Sequence, residues 1–283
     1  MLSTLTLSDG YTTYVRHWEA VGSARGHLIA VHGVQSHGGW YGRSSQALAD
    51  AGYRVHFAER RGSGLNTNRR GDAPSFRRLL DDVADLIRSL PEDGLPRFLV
   101  GISWGGKLAT GLQYRHPGLV EGLVLLCPGL FARVSPPLKQ RIRIAGCKFR
   151  APTKLFPVPL NDPALFTASP QWQEWIRRDR YGLRLATARF LSESFLLDIY
   201  LKRAKKHIRT PVLLMLGGND RVVDNTRIRA YLAGSASPDV LVEEYADAAH
   251  TLEFEPPEHP WLGDLRKWLD AQTARHPSTA GTH

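Results

Sequence analysis

Short, strand-like apolar runs recur along the chain at residues 27–31, 53–58, 98–102, 123–127, 212–216 and 240–245, and most are separated by stretches with helical periodicity. That rhythm limits the fold more than any other feature, because strands alternating with helices build a parallel α/β sheet. The runs at 123–127 and 212–216 are almost wholly apolar, as expected of strands covered on both faces. The alternating segment 12–17 reads instead as an antiparallel edge near the N-terminus.

Between the fourth and fifth of these runs the alternation breaks for some eighty residues. Helical signals there fall at 138–147, 171–178, 183–195 and 198–207, which reads as an inserted helical cap. The expected division is a core of 1–128 and 210–273, a cap at 129–209, and a flexible tail at 274–283 beyond a closing helix at 261–271. Charge follows the same division. The 283 residues carry a formal charge of +10, yet residues 131–209 hold seventeen Lys and Arg against five Asp and Glu, leaving twenty and twenty-two for the rest.

Such a basic face is either a solvated helical surface or one that meets an anionic lipid surface at about 1 kcal/mol per nearby cation. The sequence has none of the motifs of specific nucleic-acid binding. It has no secretory leader pattern and no apolar run near the roughly 20 residues that span a bilayer. Two cysteines, Cys127 and Cys147, are too few for a disulfide framework, so a reducing, cytoplasmic setting is expected. Nothing fixes the oligomeric state.

The most specific chemical signal is GISWGG at 101–106. It satisfies G-x-S-x-G, follows a strand-like run and opens a helical stretch, which is the context of a sharp turn presenting an exposed serine. Ser103 is therefore the candidate nucleophile. A serine hydroxyl needs a base, and the base needs an orienting acid, supplied in this arrangement in the order serine, acid, histidine. Asp220, just past the run PVLLMLGG, and His250, after the next strand-like run, fit that order. Asp224 is the alternative acid but reads as a charge at a helix N-terminus, and Asp247 lies too near His250. The tetrahedral oxyanion would be met by the backbone N–H of Trp104 and by that of Val34 in the loop HGVQSHGGWY at 32–41. No metal or other cofactor is called for.

These segments resemble the monoacylglycerol lipase and lysophospholipase-like branch of the α/β-hydrolases, sometimes grouped with serine aminopeptidases. The resemblance covers most of residues 10–270: HGVQSHGGWY, GISWGG, GGNDRVVDN at 217–225 and HTLEFEP at 250–256 each match a motif of that branch. It implies an α/β-hydrolase fold, an acyl-enzyme route on small acyl esters, and the same five positions, Ser103, Asp220, His250, Val34 and Trp104. The chain departs at Glu59 and Asn66, where Asp and Ser are usual, and at Gln35 and Ser36, where Gly-Glu is usual. Both of the first pair read as structural substitutions, and Glu255 as a residue ordering the histidine segment.

Acyl transfer, thioester or peptide cleavage would use the same three residues, and a hydrolase-fold binding protein without turnover is the alternative from another class. Apolar cap residues Phe149, Leu155, Phe156, Leu160, Leu165, Phe166, Trp172, Trp175 and Phe195 are expected either to line an acyl pocket or to pack the cap.

Overall fold

A computed structural model describes residues 1–276. The chain runs through β1 (Leu2–Thr6), β2 (Thr12–Trp18), β3 (Gly26–Val31), α1 (Gly42–Asp50), β4 (Tyr53–Ala58), α2 (Phe76–Arg88), β5 (Arg97–Ile102), α3 (Trp104–Arg115) and β6 (Gly122–Leu126). It continues through α4 (Leu138–Arg150), β7 (Leu155–Pro157), α5 (Pro170–Arg178), β8 (Leu185–Thr187), α6 (Ala188–Ala204), β9 (Val212–Gly217), α7 (Asn225–Ala233), β10 (Val240–Tyr245) and α8 (Trp261–Arg275).

Eight strands form one sheet in the order β1-β2-β4-β3-β5-β6-β9-β10. The β1–β2 and β2–β4 pairs are antiparallel and the remaining pairs are parallel. Every residue of β3, β6 and β9 is buried, as their apolar sequences, interrupted only by His27 in β3, require when helices cover both faces. Each such leucine is worth about 1.5–3 kcal/mol of burial, so the centre of the sheet is fixed by these strands. Helix α1 packs on β4, α3 on β5 and β6, and α8 on β9.

The antiparallel edge at 12–17 is present as β2, but it is covered by β1. That outer strand has no strong sequence signal because LSTLT is short and only half-buried. The expected helices at 183–195 and 198–207 are instead β8 followed by the single helix α6. No glycine or proline interrupts 188–204, and the Thr187 hydroxyl caps the helix by accepting from the Phe190 N–H at 3.1 Å. β8 pairs with β7 in a two-stranded antiparallel ribbon. The expected tail from 274 is also corrected: α8 continues through Arg275, and 277–283 lie outside the described residues.

The segment between β6 and β9 does not build a separate core of any size. Phe166, Ile176, Phe190, Leu197 and Leu201 belong to the same apolar cluster as the sheet, and only Ile144, Phe156 and Ala188 form a small satellite.

Across β2, β4 and β3 the side chains of three histidines join into one row. His17 Nδ1 lies 2.9 Å from His56 Nδ1, His56 Nε2 lies 3.0 Å from His27 Nδ1, and His27 Nε2 lies 3.1 Å from Asp93. At the other end Ser3 Oγ is 2.7 Å from His17 Nε2.

Candidate active site

Ser103, Asp220, His250 and Val34 all follow the carboxyl ends of parallel strands, β5, β9, β10 and β3 in turn, where an α/β sheet gathers its functional loops. Ser103 occupies the one residue between β5 and α3 with φ 52° and ψ −121°, a conformation costing a non-glycine residue about 1–3 kcal/mol. The flanking glycines make that turn possible through close approach. A Cβ on Gly105 would stand 2.1 Å from the Val31 carbonyl oxygen, and one on Gly101 would stand 2.6 Å from the Ala109 Cβ.

The three predicted side chains meet. His250 Nε2 lies 2.7 Å from Ser103 Oγ, and its Nδ1 lies 2.6 Å from Asp220 Oδ2. The other Asp220 oxygen accepts from the N–H groups of Val222 at 2.7 Å and Val223 at 3.1 Å. Burial pushes the Asp220 carboxyl up, but His250 and these two N–H groups outweigh it and hold the pKa below 3.8. Asp220 is thus an acceptor on both oxygens, which places the imidazole proton on Nδ1 and leaves Nε2 free to take the serine proton.

Asp224 does not join them: it caps α7, accepting from the Arg227 N–H at 3.1 Å. Asp247 is exposed, and its backbone carbonyl accepts from Asn219 Nδ2. Glu255 accepts from the Ala249 N–H at 2.8 Å, immediately before the histidine. Glu59 takes Arg16 at 2.9 Å, and Asn66 bonds the Thr13 hydroxyl and the Glu59 carbonyl, both scaffold contacts.

Val34 and Trp104 stand beside Ser103 in the wall of one cavity of about 960 Å³. Among the described residues neither backbone N–H has a hydrogen-bond acceptor within the protein. The cavity is lined mainly by apolar side chains, among them Leu130, Phe131, Ile142, Leu160, Phe190 and Phe195. Of the aromatic residues expected to form it, Phe149 and Phe195 do. Trp172 and Trp175 instead pack on Phe254, and Phe166 and Trp175 pack on Trp40, sealing the side of the site near the histidine loop.

Cys127 lies close by, with Sγ, an Asp220 oxygen and a His250 nitrogen all within 4.8 Å of one another. Burial pushes this thiol well above 9.0, against the opposing pull of the Gly217 N–H that donates to its sulfur, so it stays protonated. A metal there would have to displace the Asp220–His250 hydrogen bond, and the donor set does not fit a resident ion.

Two residues that the sequence did not single out brace the loop that carries Val34, one of them from the inserted segment. Asp179, at the end of α5, accepts from His37 Nε2 at 3.2 Å and Trp40 Nε1 at 2.8 Å, both in the loop that carries Val34. Arg60 donates to the Val34 carbonyl at 2.9 Å. Asp179 sits in an ordinary-looking charged run, RRDR, and Arg60 in a turn already noted for other residues, so neither carried a readable signal.

Residues 22–257 match the family described as serine aminopeptidase, S33. Human monoglyceride lipase is 25% identical over 291 residues, covering 98% of this chain and 92% of that protein. Phospholipase YtpA of Bacillus subtilis is 25% identical, covering 86% of this chain and 94% of its own length. The crystal structure of the Paleococcus ferrophilus monoacylglycerol lipase superposes with a TM-score of 0.80 at 22% identity, covering 93% of this chain and 98% of that one. A match across 22–257, with a mostly parallel sheet carrying a serine, an aspartate and a histidine at its strand ends, means that this chain belongs to the serine aminopeptidase S33 family of α/β-hydrolases.

Proposed function

We propose that the protein hydrolyses carboxylic esters through an acyl-enzyme, with Ser103 as nucleophile, His250 as general base and Asp220 as the acid that orients the imidazole. The observation that carries this reading is the continuous Ser103–His250–Asp220 hydrogen bonding at the wall of a largely apolar 960 Å³ cavity.

Ser103 Oγ bonds to the ester carbonyl carbon as its proton passes to His250 Nε2. The carbonyl oxygen becomes an oxyanion facing the Val34 and Trp104 N–H groups. The intermediate collapses, the alcohol oxygen leaves with the proton from Nε2, and the acyl group stays on Ser103. Water then attacks with the same histidine as base, releasing the acid and restoring the serine.

The substrate class we favour is a monoacylglycerol- or lysophospholipid-like ester, in keeping with the names of the two relatives and with an apolar cavity of this size. Within this reading residues 1–128 and 210–273 are the core and 129–209 the cap. The cap's cations, together with exposed Leu138, Ile142 and Phe149, fit contact with an anionic lipid surface. Free Cys127 and Cys147 fit a cytoplasmic setting, and among the described residues no helix is long and apolar enough to cross a membrane.

The test is hydrolysis of p-nitrophenyl esters from short to long acyl chains by the wild type and Ser103→Ala, beside labelling by a fluorophosphonate. Turnover and labelling both vanish in the variant if the reading holds. A folded wild type that neither labels nor cleaves any ester rejects it and leaves a ligand-binding role.

A further inference from the structure

The Arg60 side chain is only 5% exposed, yet among the described residues no carboxylate makes an ion pair with it. Its sequence neighbour Glu59 is committed to Arg16 at 2.9 Å. The guanidinium carbon instead lies 5.0 Å from the ring centres of both Trp104 and Phe190, and Nη2 donates to the Val34 carbonyl at 2.9 Å. The buried Nε has no partner among the described residues. Burial lowers the group to about 9, which still leaves it cationic at neutral pH.

An isolated buried cation is a costly way to fill space beside two aromatic rings. An apolar side chain of similar volume is often as stabilising or more so. What the cation holds is therefore informative. The Arg60 backbone N–H donates to His32 Nε2 at 2.9 Å, so the proton of that buried, neutral imidazole is on Nδ1, which donates to the Gly33 carbonyl at 2.8 Å. The Gly33 carbonyl and the Val34 N–H belong to one peptide unit. The Gly33 N–H in turn donates to Ser36 Oγ at 3.0 Å, and the loop passes close enough to Ser103 that a Cβ on Gly33 would stand 3.2 Å from the serine Cβ. One residue thus fixes the peptides on both sides of Val34, by main chain on one side and by side chain on the other.

We propose that the Arg60 guanidinium is a positioning group for oxyanion stabilisation: seated against the Trp104 and Phe190 rings and bonded to the Val34 carbonyl, it aims the Val34 N–H at the reacting carbonyl oxygen. This rests on the ester-hydrolase reading above. The guanidinium touches no reacting atom, and its effect is felt only where negative charge develops on that oxygen. Loss of a whole oxyanion donor costs about 100- to 1000-fold in kcat, so loss of its aim should cost somewhat less.

The test uses Arg60→Met and Arg60→Lys, which leave the backbone donation to His32 in place. Three quantities are compared with wild type: kcat and KM on the best p-nitrophenyl ester, Kd for a long-chain trifluoromethyl ketone, and Tm. The ketone reports the oxyanion directly, since Ser103 Oγ adds to its carbonyl carbon, His250 takes the serine proton and the oxygen becomes negative. Arg60→Met should keep or raise Tm, lower kcat about 10- to 100-fold with KM within about twofold, and weaken the ketone by the factor lost in kcat/KM. Arg60→Lys should recover part of that loss. The proposal falls if a folded Arg60→Met keeps kcat and ketone affinity within about twofold of wild type. If Arg60→Met does not fold, Arg60→Lys decides in its place, and unchanged kcat and ketone affinity in that variant would overturn the proposal. A wild type without ester turnover or serine labelling rejects the hydrolase reading itself, and this one with it.

Discussion

Two chains of hydrogen bonds in this molecule run from a serine through imidazole to an aspartate. At the strand ends, Ser103, His250 and Asp220 form the short one. At the antiparallel edge, Ser3, His17, His56, His27 and Asp93 form the long one. In both, the anionic end fixes the direction. Burial pushes the Asp93 carboxyl up, but the His27 hydrogen bond, with Arg54 at 2.6 Å adding to it, keeps it below 3.8, so His27 donates from Nε2. His56 must then donate from Nε2 to His27 and His17 from Nδ1 to His56, leaving His17 Nε2 to accept from the Ser3 hydroxyl.

Connectivity is therefore not what distinguishes the proposed nucleophile. Ser3 lies on a half-exposed outer strand with ordinary backbone geometry and does not line the large cavity. Ser103 sits at a strained turn, beside two unpartnered N–H groups, in the wall of that cavity. The difference teaches that a serine–histidine–aspartate row becomes reactive through what surrounds the oxygen.

Breaking the two aspartates separately sharpens the contrast most. Asp220→Asn keeps the shape but lets the amide favour the other imidazole tautomer, and kcat on the ester series should fall about 10⁴-fold with the fold retained. Asp93→Asn should leave kcat unchanged and lower stability by about 1–2 kcal/mol, read as a shift in the urea midpoint. The edge row also predicts an acid dependence. Burial first, then its neighbours His27 and His17, hold His56 down to about 3 against an ordinary 6.5, and His17 and His27 are lowered in the same direction by burial. The unfolded chain takes up protons as the pH falls through 6.5 while the folded chain does not. Stability is thus full above 6.5 and declines toward 3, by up to about 1.4 kcal/mol per pH unit for each proton refused. Urea midpoints that stay level from pH 7 to 5 would contradict this. The smallest effect belongs to Ser3→Ala, which should alter neither kcat nor stability beyond about 0.5 kcal/mol.

The short row was legible in the sequence because Ser103 and Asp220 follow strands with plain apolar runs, His250 follows the next strand-like run in the required order, and the glycines beside Ser103 mark the turn. Asp224 was separable from Asp220 by its place at a helix start. The long row was not legible: His17, His56 and His27 are far apart in sequence and meet only through the registers His17 to His56 and Ile29 to His56, which pairing alone determines. Within the inserted segment the helical periodicity is plain in the residues, but the boundary between β8 and α6 depends on pairing with β7, which has no local signal. Arg60 and Asp179 escaped for a similar reason, since their partners lie on loops brought near by the fold.

Asp179 has a wider consequence. Its carboxylate is shared between α5, on the inserted segment, and His37 and Trp40, on the loop that carries Val34, while Leu183 adds a backbone bond to Gln35 at 2.8 Å. The segment that walls the cavity and the loop beside the proposed nucleophile are therefore not mechanically independent. Free energy released when an acyl chain settles into the cavity has a route to the reacting carbon, so the far end of a substrate can be registered in the speed of the chemistry as well as in how tightly it is held.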